Sequence, residues 1–232
     1  MCSVPLRVGL LALDGLAADG SGVAKAELPI TTAAPTSCPP GTVAVGGGSY
    51  SMGSKRVDVG PFCLDKTEVT AADYSACVDA GKCSAPEKST HALCNYRKSG
   101  KETHPINCVT LEDAKKYCQS KGLLVPSQEQ WVWATRGNAQ RAYAWGEDEE
   151  MSRVCGDRKS EGTCEVSANP SGASPEGALN LVGNVAEFVE SGTNSFRAMG
   201  GDFSKKSVKE MRPYSGRGAE SAPEIGFRCT TK

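Results

Sequence analysis

Little in this 232-residue chain suits a nucleic-acid or membrane protein. Its 26 Lys+Arg stand against 27 Asp+Glu, a formal net charge of -1, and no long basic run occurs, so the electrostatic footprint for gripping phosphates is missing and no nucleic-acid partner is expected. No stretch reaches the roughly 20 successive apolar residues of a spanning helix, and no transmembrane span is expected. Histidine occurs only as His91 and His104, and no two cysteines stand as C-x2-C, which weighs against structural zinc. The G-x-S-x-G elbow, H-E-x-x-H, the phosphate loop and the dinucleotide glycine fingerprint are all absent. Neither strand and helix alternation nor an internal repeat is visible, so doubly wound, barrel and solenoid folds fit poorly.

The chain is instead rich in cysteine and turn formers, with 11 Cys, 26 Gly and 13 Pro. Cys2 stands alone near the start, and the remaining Cys38, Cys63, Cys77, Cys83, Cys94, Cys108, Cys118, Cys155, Cys164 and Cys229 are an even set, read as up to five disulfides. Thiols at this density are normal in an oxidising space, so an extracytoplasmic location is expected: periplasmic, cell-surface or secreted. Only a fragment of an export signal is present, Arg7 followed by residues 8–13 and interrupted by Asp14. Either the start is misplaced, or residues 6–18 are a degenerate export segment, or the disulfide reading fails. From Ala17 to Pro40 the composition turns to Ala, Thr, Gly, Ser and Pro, a flexible tether. The expected organisation is residues 1–37 as export segment and tether, and residues 38–232 as one folded domain.

Three helices are marked by a hydroxyl residue three positions before an acid or amide: Thr70 with Asp73, Thr110 with Asp113, and Ser127 with Gln130. The runs that follow carry Tyr74, Cys77 and Val78, then Ala114, Tyr117 and Cys118, then Trp131 and Ala134, and stop near Gly81, Gly122 and Gly137. Short β-type runs occupy residues 42–45, 62–64 and 106–109. The expected class is a loop-rich α+β domain. The acids at residues 147–150 lack the alternation of a calcium loop and read as a solvated turn.

Several short motifs stand in a recognisable order. They are Gly47-Gly48-Ser49-Tyr50-Ser51-Met52-Gly53, Phe62 to Thr70, His104 to Val109, Asp113 to Cys118, Leu124 to Trp131, Tyr143 to Gly146, Leu181 to Phe188, Gly200-Gly201-Asp202-Phe203, and Gly226-Phe227-Arg228-Cys229. As an ordered series they resemble the formylglycine-generating enzyme, or sulfatase-modifying factor, family over about Cys38 to Cys229. The resemblance implies a loop-rich, disulfide-stapled α+β domain of the C-type-lectin-like type. It also implies a Cys118 to Cys229 disulfide. For the other eight cysteines, proximity in sequence favours Cys83 with Cys94, Cys77 with Cys108, Cys155 with Cys164, and Cys38 with Cys63.

Catalytic members of this family carry two cysteines just after the Gly-Gly motif, where they bind copper(I) and oxidise a substrate cysteine. Here Lys205 and Glu210 fall at about those positions, and no cysteine lies between Cys164 and Cys229. Copper(I) requires soft thiolates, so no copper and no catalytic residue are expected. The iron-dependent sulfoxide synthases are similar but use histidines from an additional domain; here His104 reads as structural and His91 as a surface residue. The resemblance further implies a structural calcium site from the Glu187 carboxylate and carbonyls near Val182, Gly183 and Val185. The alternative is that Glu187 and Asn184 only pin a turn.

The expected function is a non-catalytic, extracytoplasmic recognition domain for an unknown protein or glycan, as similar scaffolds serve in retroelement-diversified variable proteins. Its candidate contacts are Phe196, Arg197, Asp202, Phe203, Lys205, Lys206, Lys209, Arg212, Tyr214 and Arg217, a polar, aromatic and basic set. A divergent oxidase or other protein-modifying enzyme is the alternative, and a structural component of the cell envelope a third.

Overall fold

The computed structural model describes residues 31–87, 89–191, 195–211, 214–217 and 221–232. Among the described residues, nine short strands and three α-helices follow the order β1 Thr31–Thr32, β2 Thr42–Val45, β3 Gly47–Met52, β4 Lys55–Val59, β5 Phe62–Asp65, α1 Ala71–Asp79, α2 Leu111–Ser120, α3 Gln128–Arg136, β6 Ala186–Glu190, β7 Ser195–Met199, β8 Tyr214–Arg217 and β9 Ile225–Gly226. The α+β, loop-rich class read from composition is the class found.

Each helix begins where the hydroxyl pattern places it. Thr110 and Ser127 form reciprocal capping boxes with Asp113 and Gln130, satisfying orphan amide donors of the first turn. Thr70 accepts from the Asp73 amide, while the Asp73 carboxylate accepts from the Thr70 hydroxyl instead of reaching the backbone. One β-type run departs from expectation. Residues 106–109 form no strand, because Cys108 sits at φ 59° and breaks the extended run; Ile106 donates instead to the Val69 carbonyl at 2.8 Å.

The strands form a β1-β3-β4 sheet, a β2-β5 pair and a β8-β7-β6-β9 sheet in which only the β6 and β9 pairing is parallel. Strand β1 lies inside the segment expected to be tether: Thr31 and Thr32 pair with Gly48 and Gly47, so ordered chain begins before Cys38. Strand β6 is the wall between two apolar clusters. Val189 packs with Tyr50, Trp133, Leu181 and Met199 on one side, while Phe188 and Ala186 pack with Tyr74, Tyr117, Ile106 and Phe227 on the other, the period-2 alternation of a strand buried on both faces.

Five disulfides staple this frame: Cys38–Cys63, Cys77–Cys83, Cys94–Cys108, Cys118–Cys229 and Cys155–Cys164. Three agree with the expected pairing, and two correct it. Cys83 returns to Cys77 rather than pairing with Cys94, because the left-handed turn at Gly81 folds the chain back on the end of α1 and lets the Cys83 amide donate to the Cys77 carbonyl. That leaves Cys94 for Cys108. No described helix is long and apolar enough to cross a membrane.

Candidate functional site

The segment that would carry catalysis starts at Gly200 and Gly201, at φ 93° and 71°. A Cβ at Gly201 would lie 2.4 Å from Met211 Cα, so both the conformation and the close approach require glycine here. This double left-handed turn directs the next two residues inward. Phe203, expected as a ligand contact, is fully buried; its amide donates to the Asn184 carbonyl and its carbonyl accepts from Arg158. Asp202, also expected at the surface, is 4% exposed and holds Lys205 Nζ at 3.1 Å, while its other oxygen accepts from the Ser204 amide at 2.9 Å. Neither residue can contact a macromolecular ligand in this arrangement, which corrects both assignments.

Lys205 and Glu210, expected at about the family's copper positions, each serve their own neighbours. Lys205 is the partner of Asp202. Glu210 closes a helical turn, accepting from the Lys206 amide at 3.3 Å and the Ser207 hydroxyl at 3.2 Å. All ten described cysteines are in disulfides, so no thiolate for copper(I) is present among the described residues.

Of the remaining expected contacts, Arg197 is partly exposed on β7 and Lys206 is exposed. Lys209 is exposed and pairs with Glu149 at 2.9 Å, a carboxylate that raises its pKa. Phe196 lies on β7, Tyr214 and Arg217 on β8; Arg212 falls outside the described residues. Backbone pairing of Arg197 with Ser215 and of Ser195 with Arg217 brings β7 and β8 side by side.

Behind this segment lies a buried polar cluster. Glu187 on β6 accepts from Arg228 Nη2 at 2.6 Å and Nε at 2.7 Å, and from Trp131 Nε1 at 2.9 Å. Arg228 also donates to the carbonyls of Asp65 and Leu179. Glu68, 1% exposed, accepts from Asn180 at 3.0 Å and Asn184 at 2.8 Å. Desolvation pushes the Glu68 carboxyl up to about 7 and Asp65 up to about 6, partly opposed in both cases by Arg228.

Asn184 is the hinge of this cluster. At φ 61°, it donates to Glu68, accepts the Cys164 amide at 2.9 Å on Oδ1, and accepts Phe203 on its carbonyl. Pinning a turn is the alternative that the sequence offers for this residue. Its links to Glu68 and to the 155–164 loop were not foreseen; the one available signal was an Asn in a Gly-Asn pair, a residue type that tolerates left-handed backbone.

The donor set implied for calcium does not fit the ion in this arrangement. Glu187's charge is met by Arg228, and three of its lone-pair directions already accept hydrogen bonds. His104 is buried, its Nδ1 2.9 Å from Thr163 Oγ1, and burial lowers its pKa. His91 is exposed and accepts the Leu93 amide at 3.1 Å.

The family model of the Sulfatase-modifying factor enzyme 1-like domain matches residues 28–232. This chain belongs to that family. Among curated relatives, the Inactive C-alpha-formylglycine-generating enzyme 2 of Bos taurus is 29% identical over 152 residues, 55% of this chain and 50% of that protein. The Formylglycine-generating enzyme of Mycobacterium tuberculosis is 31% identical over 98 residues, 37% of this chain and 33% of that protein. The matched region thus spans half or less of these relatives' length. Among solved structures, PvdO from Pseudomonas aeruginosa has a TM-score of 0.64 at 18% identity, covering 84% of this chain and 99% of that one. Treponema denticola variable protein 1 has a TM-score of 0.61 at 13% identity, covering 88% and 99%. At these identities the structural likeness establishes the fold.

Proposed function

We propose that this chain is a non-catalytic member of the sulfatase-modifying factor family, acting as an extracytoplasmic recognition module for a protein or glycan. The observation that carries the reading is the chemistry after Gly200-Gly201. A Lys205 to Asp202 ion pair and a turn-closing Glu210 stand where the family's copper thiols would be, and every described cysteine is bonded to another. Neither an ammonium nor a carboxylate binds copper(I) as a thiolate does. That a relative is named inactive fits the reading, as does the density of disulfides, which suits an oxidising compartment.

With Asp202 and Phe203 removed, the recognition surface rests on Arg197, Lys205, Lys206 and Lys209, on the β7 and β8 positions 196, 214 and 217, and on Arg212. Two measurements test the reading together. Oxygen uptake with copper and a cysteine-containing peptide is expected to be zero; turnover would overturn the non-catalytic assignment and favour a divergent oxidase. On glycan and peptide arrays, saturable binding is expected, weakened by R197A and K206E. Binding indifferent to both substitutions would move the surface elsewhere, and tight self-association with no soluble ligand would favour an envelope component.

A further inference from the structure

A cleft of about 380 Å³ opens between the end of β3, one face of α3 and the Gly200 turn, a volume in the range of small-molecule sites. Its wall from α3 is a single helical stripe, Gln128, Trp131, Val132, Thr135 and Arg136. Facing it are three of the chain's five methionines, Met52, Met199 and Met211, together with Tyr50 and Tyr143. None of the candidate recognition residues lines it, so this inference and the proposed function can fail independently.

Three features set the ligand chemistry. The lining is mainly apolar, and thioethers are flexible, polarizable groups that make favourable contacts with aromatic rings. Tyr143 stacks on Trp145 at 5.2 Å and 10°, and Tyr50 packs on Trp133 at 6.0 Å, so the rings at the walls are braced from behind. Among the described side chains lining the cleft, Arg136 is the one that carries a charge. Its Nε donates to the Arg141 carbonyl at 2.9 Å and Nη2 to the Gln140 carbonyl at 3.1 Å, which anchors the guanidinium and leaves Nη1 for an anion. The rim is fixed on the opposite side, where Gln128 donates to the Met52 sulfur at 3.4 Å.

We propose that this cleft binds a small organic anion with an aromatic body, its ring among Met52, Met199, Met211 and Tyr143 and its acid group on Arg136. The test uses the full chain with 8-anilinonaphthalene-1-sulfonate as probe and its uncharged relative N-phenyl-1-naphthylamine as control, with native packing verified by near-UV circular dichroism. One saturable site is expected. R136Q should weaken the sulfonate at least tenfold and the uncharged relative less than twofold. In protein carrying ¹³C-methyl methionine, the probe should shift Met52, Met199 and Met211. V132W should abolish binding of both compounds by filling the cleft, and the methyl shifts keep the test decisive if that variant fails to fold. Absence of saturable binding, equal loss of both compounds in R136Q, or shifts that miss the three methionines would each overturn the proposal.

Discussion

Arg228 and Glu187 meet as a forked ion pair sealed from water, Nη2 to Oε1 at 2.6 Å and Nε to Oε2 at 2.7 Å, with side-chain exposures of 0% and 1%. The pair fastens the segment just after β9 to strand β6, and Glu68 and Asp65 lie close enough to feel the same guanidinium.

Removing one partner should therefore be far worse than removing both. R228M leaves buried carboxylates without their cation and should destabilise by roughly 3 to 5 kcal/mol or prevent folding. The double variant R228M with E187M should recover part of that loss. Urea unfolding with the disulfides intact reads both, and equal losses in the single and double variants would refute the coupling.

Stability should fall as pH rises through the weakly acidic range. The Glu68 carboxyl goes from an ordinary 4.5 to about 7 on folding, and Asp65 from 3.8 to about 6, so the folded state holds the proton longer. The stabilisation is complete below the unfolded values and is lost as pH climbs through the folded ones, between about 4.5 and 7 for Glu68. Burial of His104 as the neutral form works in the opposite direction below its ordinary 6.5. The difference between wild type and E68Q isolates the Glu68 contribution, on the order of 3 kcal/mol across the window. Parallel stability profiles for the two proteins would refute it.

Chelation should leave the melting temperature unchanged within about a degree, because Arg228 already neutralises Glu187. A fall of several degrees in EGTA, reversed by calcium, would show that the ion binds despite that pair.

The disulfides should differ in weight. In the chain-entropy model, opening Cys118–Cys229, 111 residues apart, should cost roughly 5 kcal/mol, and opening Cys77–Cys83, six apart, about 2. Paired alanine variants and unfolding curves compare them, and non-reducing peptide maps should yield 77–83 and 94–108 peptides.

Residue 203 separates core from surface. F203A should cost roughly 3 to 5 kcal/mol as a cavity, whereas K206A should stay within about 0.5. Similar small effects from both would return Phe203 to the exposed face.

The helices were legible because capping is local: Thr110 with Asp113 and Ser127 with Gln130 lie within one turn, and glycines at 81, 122 and 137 mark the stops. What depended on distant geometry was not. The inward turn of Asp202 and Phe203 follows from two successive left-handed glycines packed against Met211 and Leu181, which a motif reading registers only as Gly-Gly. The short Cys77–Cys83 link depends on how sharply the chain reverses after α1. The methionine cleft was invisible because Met52, Met199 and Met211 come from separate parts of the chain.

The end of the described chain is stitched into the middle of the molecule: Thr230 bridges Leu64 and Leu124, Cys229 closes on α2, and Ile225 lies beside β6. During synthesis, the links from Leu64, Leu124, α2 and β6 to residues 225–230 cannot form until those residues leave the ribosome. These links are therefore among the last the chain can make, formed after most of its cysteines have already emerged.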